Sequence, residues 1–436
     1  MRYSKEIPVL AEYDVAVCGG GPAGFPAALQ AARLGAKTVI LEKSNMLGGV
    51  LTIGRDNEIA LFNAGSRPVV RGIGWEFVTR LEKLGYAHIP RFASDIPHYL
   101  QGVSVNIPMA AWLLDEMCAE SKVDVRYFAV LVDMVKRPDG WVLVFASKAA
   151  LYAVAARRVI DCTGDGDACV LAGAAYELGD PETGELQPGT LGFFVRSGDL
   201  SGLDEEKMRE EQKKSLAAGE LLPQDVWSAG QSPTLALRNN GININHVAVG
   251  CDYEQNRSLI EREGRKSVAR LYRWLKKNVG SADPEIIGTA GEVAFRETRR
   301  IVCRKRVTAE EYVAGVRHGD DISYSYYPID LHRDDAGGDT LHNVFLDENH
   351  VPAIPYGALI PRGVDNMLVA GRCIGGDRFA QSAYRVKASC MAMGQAAGAA
   401  AALSALYGTA LPKVDLDALR STLRSHGAIV PPELSR

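Results

Sequence analysis

Three glycines and one acid near the start of the chain have the types and spacing to hold a pyrophosphate-bridged nucleotide. Gly19, Gly21 and Gly24 match G-x-G-x-x-G, with Pro22 and Ala23 inside the motif and Glu42 eighteen residues past Gly24. The first glycine of such a motif permits a tight turn, the second admits a pyrophosphate to the backbone, and the third lets a helix pack closely on a strand. An acid at the position of Glu42 holds a ribose through its hydroxyls and repels a 2′-phosphate, which argues against an NADP-type ligand. The motif alone is a weak signal, so its weight depends on its surroundings.

Those surroundings are a βαβ unit. Val15, Ala16, Val17 and Cys18 make an apolar run that feeds the turn, and Thr38 to Leu41 make a second strand. Pro22 fits a helix start and Gly35 the position just past its end, while Pro26 removes one early helix bond. The helix N-terminus offers free N–H groups and a partial positive charge to a pyrophosphate. Gly48-Gly49 follows, a pair that suggests close backbone approach.

Further on, periodicity predicts helices at Gly74 to Leu84 and Ile107 to Ala119. A small β-meander is predicted from Val123–Phe128, Val130–Lys136, Trp141–Ser147 and Leu151–Val154, with a turn at Pro138-Asp139-Gly140. A separate buried strand, Arg158 to Thr163, ends in Gly164-Asp165-Gly166-Asp167. Charged helices at Asp204–Ala218 and Asp252–Asn278 flank a strand-like segment, Gly241 to Val249, and belong to a second domain. Thr308 to Glu311 forms a capping box for a helix through about Val316. A last strand at Met367 to Arg372 and an alanine-rich helix from about Ala388 return the chain to the first domain. The expected fold is α/β: a discontinuous Rossmann-like domain with a small β-meander (1–55, 103–176 and 356–436) and an inserted mixed α+β substrate or cap domain (56–102 and 177–355).

With 436 residues the chain supports two domains. Its 47% hydrophobic and 23% charged residues are ordinary for a globular protein. A net charge of −4 with dispersed Lys and Arg gives no footprint for nucleic acid. Eight cysteines without a C-x-x-C pair argue against zinc and iron–sulfur sites, so no metal is expected. Reduced thiols and the lack of a visible export signal point to the cytoplasm. Ala388 to Gly408, interrupted by Gln395 and Ser404, reads as a buried helix rather than a membrane span. The expected partner is a small-molecule substrate, with neither nucleic acid nor membrane, and a homo-oligomer is allowed.

Three separated pieces converge on one family: GGGPAG with Glu42 and Gly48-Gly49, VIDCTGDGD at Val159 to Asp167, and LVAGRCIGGDRFAQSAYRVKASCMAMGQAAG at Leu368 to Gly398. Together they resemble the FAD-dependent oxidoreductases related to glutathione-reductase-type flavoproteins, and GEVAFRETRRI at Gly291 to Ile301 and YPIDLH at Tyr327 to His332 extend the resemblance. It implies one FAD lying extended across the first domain. The pyrophosphate would lie at Gly19 to Gly24, the adenosine ribose on Glu42, and the adenine beside Val130. Gly48 and Gly49 would pass along the pyrophosphate and ribityl chain, with Lys43, Leu51, Thr52 and Asp165 among the cofactor contacts. Thr163 and Gly164 would border the dinucleotide, and Gly371, Arg372 and Asp377 would sit near the ribityl and flavin end. The N-terminus of the Ala388 helix would face the flavin pyrimidine, where its partial charge favours an anionic reduced ring. This chain departs from the family pattern at Gly375 to Phe379, and at Cys162, where alanine is common. Cys169, seven residues on, lacks a dithiol spacing, so Cys162 is expected to be packing rather than a redox partner.

Flavin carries the electron chemistry, so the protein must add orientation, electrostatics and proton-transfer groups. The candidates are His332 for proton transfer, Arg296 and Arg385 as carboxylate anchors, and Tyr356 near the return to the first domain. Ordinary alternatives are a loop histidine at 332, an Arg296 paired with Glu292 or Glu297, and a core Tyr356. Arg55, Asp56 and His246 stand behind them. No second complete G-x-G-x-x-G marks a nicotinamide domain. The expected activity is that of a dehydrogenase or oxidase moving hydride from a small organic substrate to FAD, with electrons passed to oxygen or another acceptor. Same-fold alternatives are a reductase, a monooxygenase or a redox-neutral enzyme; tRNA modification and simple FAD storage are more remote.

Overall fold

The computed structural model describes residues 4–226, 234, 237, 244–279, 282–333 and 341–432. Val9–Cys18 (β1), Gly24–Arg33 (α1) and Thr38–Leu41 (β2) form the opening βαβ unit, with β1 and β2 paired in parallel from Val15–Thr38 to Cys18–Leu41. The gap expected at Pro26 falls between the bonds Phe25 N–H to Gly21 O and Ala27 N–H to Ala23 O. Ile73–Lys83 (α2) and Ile107–Glu120 (α3) pack against this unit, and rings of Phe25 and Phe77 lie 5.4 Å apart. Asp124–Arg126 (β3) adds to β2 in parallel, and Val130–Arg137 (β4) and Gly140–Ser147 (β5) make the meander.

The two strands predicted at Leu151–Val154 and Arg158–Thr163 are one, Ala150–Asp161 (β6). No glycine or proline interrupts Ala155 to Arg157, so nothing breaks the strand there. β6 runs antiparallel to β5 through Ala156 and parallel to β1 on its other side.

A second apolar core is drawn from Leu186 to Phe295, built on Phe193–Arg196 (β7), Glu205–Ala217 (α4), Arg257–Asn278 (α5) and Glu285–Thr289 (β8). Asp204 caps α4 by accepting from the N–H groups of Glu206 and Lys207. α5 begins at Arg257 instead of Asp252, because residues 252–256 form a turn. Of the predicted strand Gly241 to Val249, residues 241–243 lie outside the described ones; Val247 makes an isolated bridge to Gly189.

The cores do not divide as 56–102 and 177–355 against the rest. Ile59, Phe62, Phe77, Tyr312, Tyr324 and Ile354 are buried in the same core as the large sheet. The apolar face of α2 packs onto the sheet side, and Glu76 pairs with Arg33 of α1 at 2.6 Å. The second core is confined to the segment ending near Phe295.

Thr308 accepts from the N–H of Glu311 and starts Ala309–Ala314 (α6), which ends two residues early at Gly315, whose φ of +63° closes the helix. Ile329–His332 (β9) comes from the aromatic run, and Met367–Val369 (β10) inserts beside β6, pairing Val159 to Asp161 in parallel. The completed seven-stranded sheet has the order β3-β2-β1-β6-β5-β4, with β10 on β6. Arg378–Tyr384 (α7) and Lys387–Tyr407 (α8) follow.

The composition of α8 has a packing cause. A Cβ on Gly394 or Gly398 would lie 2.1 Å from the carbonyl oxygen of Ala23 or Ala27 respectively, so α8 and α1 touch backbone to backbone. Only small residues permit that approach. Among the described residues α8 is the one helix long and apolar enough to cross a membrane, and 83% of its apolar window is buried inside the fold.

Candidate functional site

β1 delivers the chain to a turn with no room for a Cβ at Gly19 or Gly24. Gly19 has φ +92° and donates to Leu41 O at 2.8 Å; a Cβ there would lie 2.6 Å from Cys162 O. A Cβ on Gly24 would lie 1.9 Å from Gly19 O. Glu42 is clamped beside the turn: its Oε2 accepts from Gly20 N–H at 2.7 Å, and its Oε1 from Ser44 N–H at 2.8 Å and Ser44 Oγ at 2.6 Å. The Gly48-Gly49 loop abuts this turn. Gly48 N–H donates to Gly20 O at 2.8 Å, and a Cβ on Gly49 would sit 3.0 Å from Gly21 Cα.

The second strand end is organised by Asp161, fully buried at the tip of β6, which accepts from Thr163 N–H, Thr163 Oγ and Cys169 N–H at 3.0, 2.7 and 2.8 Å. Asp165 then pairs with Arg372 at 2.7 Å and accepts from Thr298 Oγ at 2.7 Å. Burial works against the Asp165 carboxylate, but Arg372 and Thr298 hold it below the usual range. Burial pushes the Cys162 thiol well above its ordinary value, so it stays protonated and is a poor nucleophile.

These pieces enclose a cleft of about 180 Å³ lined by Gly19, Gly21, Pro22, Glu42, Lys43, Gly49, Val130, Thr163, Gly164, Asp165 and Arg372, all named from the sequence. Glu292 bridges its mouth, pairing with Lys43 at 2.8 Å and Arg257 at 3.0 Å.

Other expected contacts stand behind the cleft. Ala23 lies beneath α8, Gly24 against Gly19, and Gly48 against Thr52. Leu51 is fully buried and Thr52 Oγ donates to Leu47 O at 2.6 Å. Gly371 N–H points to Met393 Sδ at 3.2 Å. Asp377 caps two helices at once: Oδ1 accepts from Ala380 N–H and Oδ2 from Ala309 N–H, both at 2.7 Å. Asp377→Ala should therefore lower unfolding free energy by about 1–4 kcal/mol, at roughly 0.5–2 kcal/mol per cap. Urea titration measures this; an unchanged midpoint would remove the capping role.

A second cavity of about 210 Å³ shares Val50, Gly54, Ala294, Phe295 and Arg372 with the cleft. Five basic side chains line it, Arg55, Arg296, Arg372, Arg385 and Lys387, against three acids, Asp56, Glu58 and Asp330. Arg55 occupies the left-handed region at φ +55°, a conformation uncommon outside glycine. Lys387, first residue of α8, pairs with Asp56 at 2.6 Å. Arg296 donates to Pro188 O at 2.7 Å and Thr190 Oγ at 3.0 Å; burial and then Arg385 lower its guanidinium to about 9. The acids once considered for it go elsewhere, Glu297 to Arg300 and Arg378, Glu292 to the cleft mouth.

His332 lines this cavity with its Nε2 at 3.2 Å from Asp330 Oδ2 and its Nδ1 at 3.0 Å from His246 Nε2. Burial, then Arg296, push His332 down to about 4 against the pull of Asp330. Burial opposes ionisation of Asp330, yet His332, Arg385 and Arg296 hold its carboxylate well below the usual range. Tyr356 does not line either cavity: it is core, its hydroxyl donating to Leu411 O at 2.8 Å. Sequence reasoning missed Asp330, Glu58, Lys387 and Asp161. Asp330 carried a signal, since residues two apart on a strand share a face, and Lys387 carried one as a cation heading an apolar helix.

The family model described as FAD dependent oxidoreductase matches residues 14–423. A dihydrolipoyl dehydrogenase of Trypanosoma brucei brucei is 48% identical over 63 residues, 14% of this chain and 13% of that protein. The mitochondrial dihydrolipoyl dehydrogenase of Schizosaccharomyces pombe is 45% identical over 62 residues, 14% and 12% of the two chains. The matches thus span little more than a tenth of those relatives. A geranylgeranyl bacteriochlorophyll reductase-like protein of Thermoplasma acidophilum superposes with a TM-score of 0.44 and 14% identity, covering 95% of this chain and 83% of that one.

Proposed function

Because this chain belongs to the FAD-dependent oxidoreductase family, we propose that it oxidises a small organic anion in the basic cavity beside the nucleotide cleft. The cleft fits the cofactor: Gly19 and Gly24 leave no room for a Cβ, and the Gly21 position faces Gly49 across 3.9 Å. Gly19, Gly21, Pro22 and Gly49 would hold the pyrophosphate, Glu42 the ribose, and Thr163, Gly164 and Arg372 the middle of the dinucleotide. FAD, when bound, supplies the two-electron acceptor.

The observation that carries the substrate reading is the continuity of the two cavities, with the basic side chains gathered in the second. Arg296 and Arg385 bind and orient a carboxylate, and Lys387 adds its charge at the N-terminus of α8, where the helix dipole also favours an anion. His332 takes the proton that leaves the substrate, and the Asp330 carboxylate steadies the imidazolium that forms.

The test mixes FAD-loaded protein, without oxygen, with panels of small hydroxy- and amino-carboxylates and their amides. Carboxylates should bleach the flavin absorbance and the amides should not. Arg296→Met should raise the half-saturating concentration roughly 10- to 100-fold, for a charge-assisted bond of about 1.5–3 kcal/mol at about 1.4 kcal/mol per tenfold. Equal bleaching by the amides would sink the anion reading.

A further inference from the structure

His246, hydrogen-bonded to His332, lines a cavity that shares no lining residue with the substrate site. This third cavity, about 200 Å³, is lined by His246, Gln224, Asp252, Asn256, Glu263 and Arg270, and Asp252 on its rim is exposed. The two imidazoles are 2% and 4% exposed, their rings 5.0 Å apart and steeply inclined, and their facing nitrogens 3.0 Å apart. His332 lines the substrate cavity and His246 the third, so the hydrogen-bonded rings link the linings of the two. The backbone N–H of His246 donates to Gln224 O at 2.7 Å, which fixes the ring segment.

We propose that His246 carries protons between the substrate cavity and the third cavity, acting through His332. This rests on the oxidation proposed above. In the tautomer with His332 Nδ1–H donating to His246 Nε2, the His332 Nε2 is bare; the proton leaving the substrate enters there, and the new Nε2–H donates to the Asp330 carboxylate, which steadies the cation. The Nδ1 proton of His332 passes to His246 Nε2, and the Nδ1 proton of His246 leaves to water in the third cavity. One proton enters and one leaves; the electron pair goes to FAD. When oxygen reoxidises the reduced flavin one proton is consumed on the substrate side; it enters through His246 and His332 in the reverse order, which restores the starting tautomers.

Among the described residues, the charged groups that bear on the pair include Arg296, Asp330 and, toward His332, Arg385, with Asp252, Glu263 and Arg270 lining the cavity beside His246. Burial and Arg296 keep both rings neutral at physiological pH, so neither traps the proton it passes. A histidine kept for packing alone would need no polar cavity at its outer edge.

The experiment uses FAD-loaded His246→Ala and His246→Gln proteins with a carboxylate that bleaches the wild type. Flavin reduction without oxygen should slow roughly 10- to 100-fold in both, with half-saturating substrate and visible spectrum unchanged and circular dichroism confirming that each variant is folded. Added imidazole should restore the Ala variant, with rescue growing with the concentration of free base as pH rises. An unchanged rate, or a slowed but folded Ala variant that imidazole does not rescue, overturns the relay alone. Nitrogen-15 histidine spectra give a substrate-free readout: a coupling across the His246–His332 hydrogen bond is expected, and its absence also overturns the relay. If no carboxylate bleaches the wild type, the substrate reading fails first and the relay with it.

Discussion

Gly24→Ala protein is expected to purify without its yellow colour. The new Cβ would lie 1.9 Å from Gly19 O and 3.3 Å from Cys162 Cβ, so α1 must retreat or the turn must open. Overpacking of this kind costs about 1–3 kcal/mol, equivalent to roughly 5- to 150-fold in FAD affinity at about 1.4 kcal/mol per tenfold. Flavin-to-protein absorbance after purification, followed by FAD titration of the apoprotein, measures the loss, with circular dichroism to confirm the fold. Gly21→Ala is the informative partner, because its Cβ would meet nothing of the protein closer than Gly49 Cα at 3.9 Å. Loss of FAD there would report the ligand's own need for space. A Gly24→Ala protein with wild-type FAD affinity would refute the cradle.

The second large effect is chemical. His332→Gln should slow flavin reduction by roughly 10²- to 10⁴-fold, the usual weight of a general base, while FAD stays bound with an unchanged spectrum. The wild-type pH profile provides the companion test. His332 is lowered to about 4 by burial and Arg296, and it accepts protons only when neutral. Its contribution to the rate should therefore be flat from about pH 8 to 5 and fall only near 4, where an unperturbed histidine would fail near about 6.5. Stability follows the same sign. The folded pKa lies below the unfolded one, so the contribution of His332 to stability is complete above about 6.5 and is lost as pH falls toward 4. His332→Gln should show a shallower loss of melting temperature across that window; an identical slope would contradict the buried neutral state.

What the sequence disclosed was mostly local. The glycine turn, Glu42 and the Gly48-Gly49 loop lie within one βαβ unit and its exit, where spacing dictates geometry. The caps at Asp204 and Thr308 were legible because a cap and its helix are neighbours in sequence. The His246–His332 contact was not, since the two are 86 residues apart and neither carries a flanking pattern. Asp377 illustrates a different difficulty: its position near the cofactor segment suggested a contact, whereas the backbone N–H groups of α6 and α7 claim both its oxygens. The division into domains rested on charge and length, by which α2 and the described parts of residues 312–354 look like insertions. Their apolar faces nevertheless complete the first core. β6 was split in two because the short alanine run resembles a pause, although small buried residues continue a central strand without penalty once both neighbours are paired.

β10 has a consequence in time. The ribosome delivers the N-terminal strands first, so β1 to β6 can pair while the edge of β6 at Val159 to Asp161 still waits for Met367 to Val369. Asp165 waits for Arg372 as well, across 207 residues. The cleft that Asp165 and Arg372 line is thus complete only when most of the chain has emerged. A nascent chain paused before Met367 would carry an unpaired strand edge, the kind of surface that recruits other strands. The strand that arrives last is the one that closes this edge.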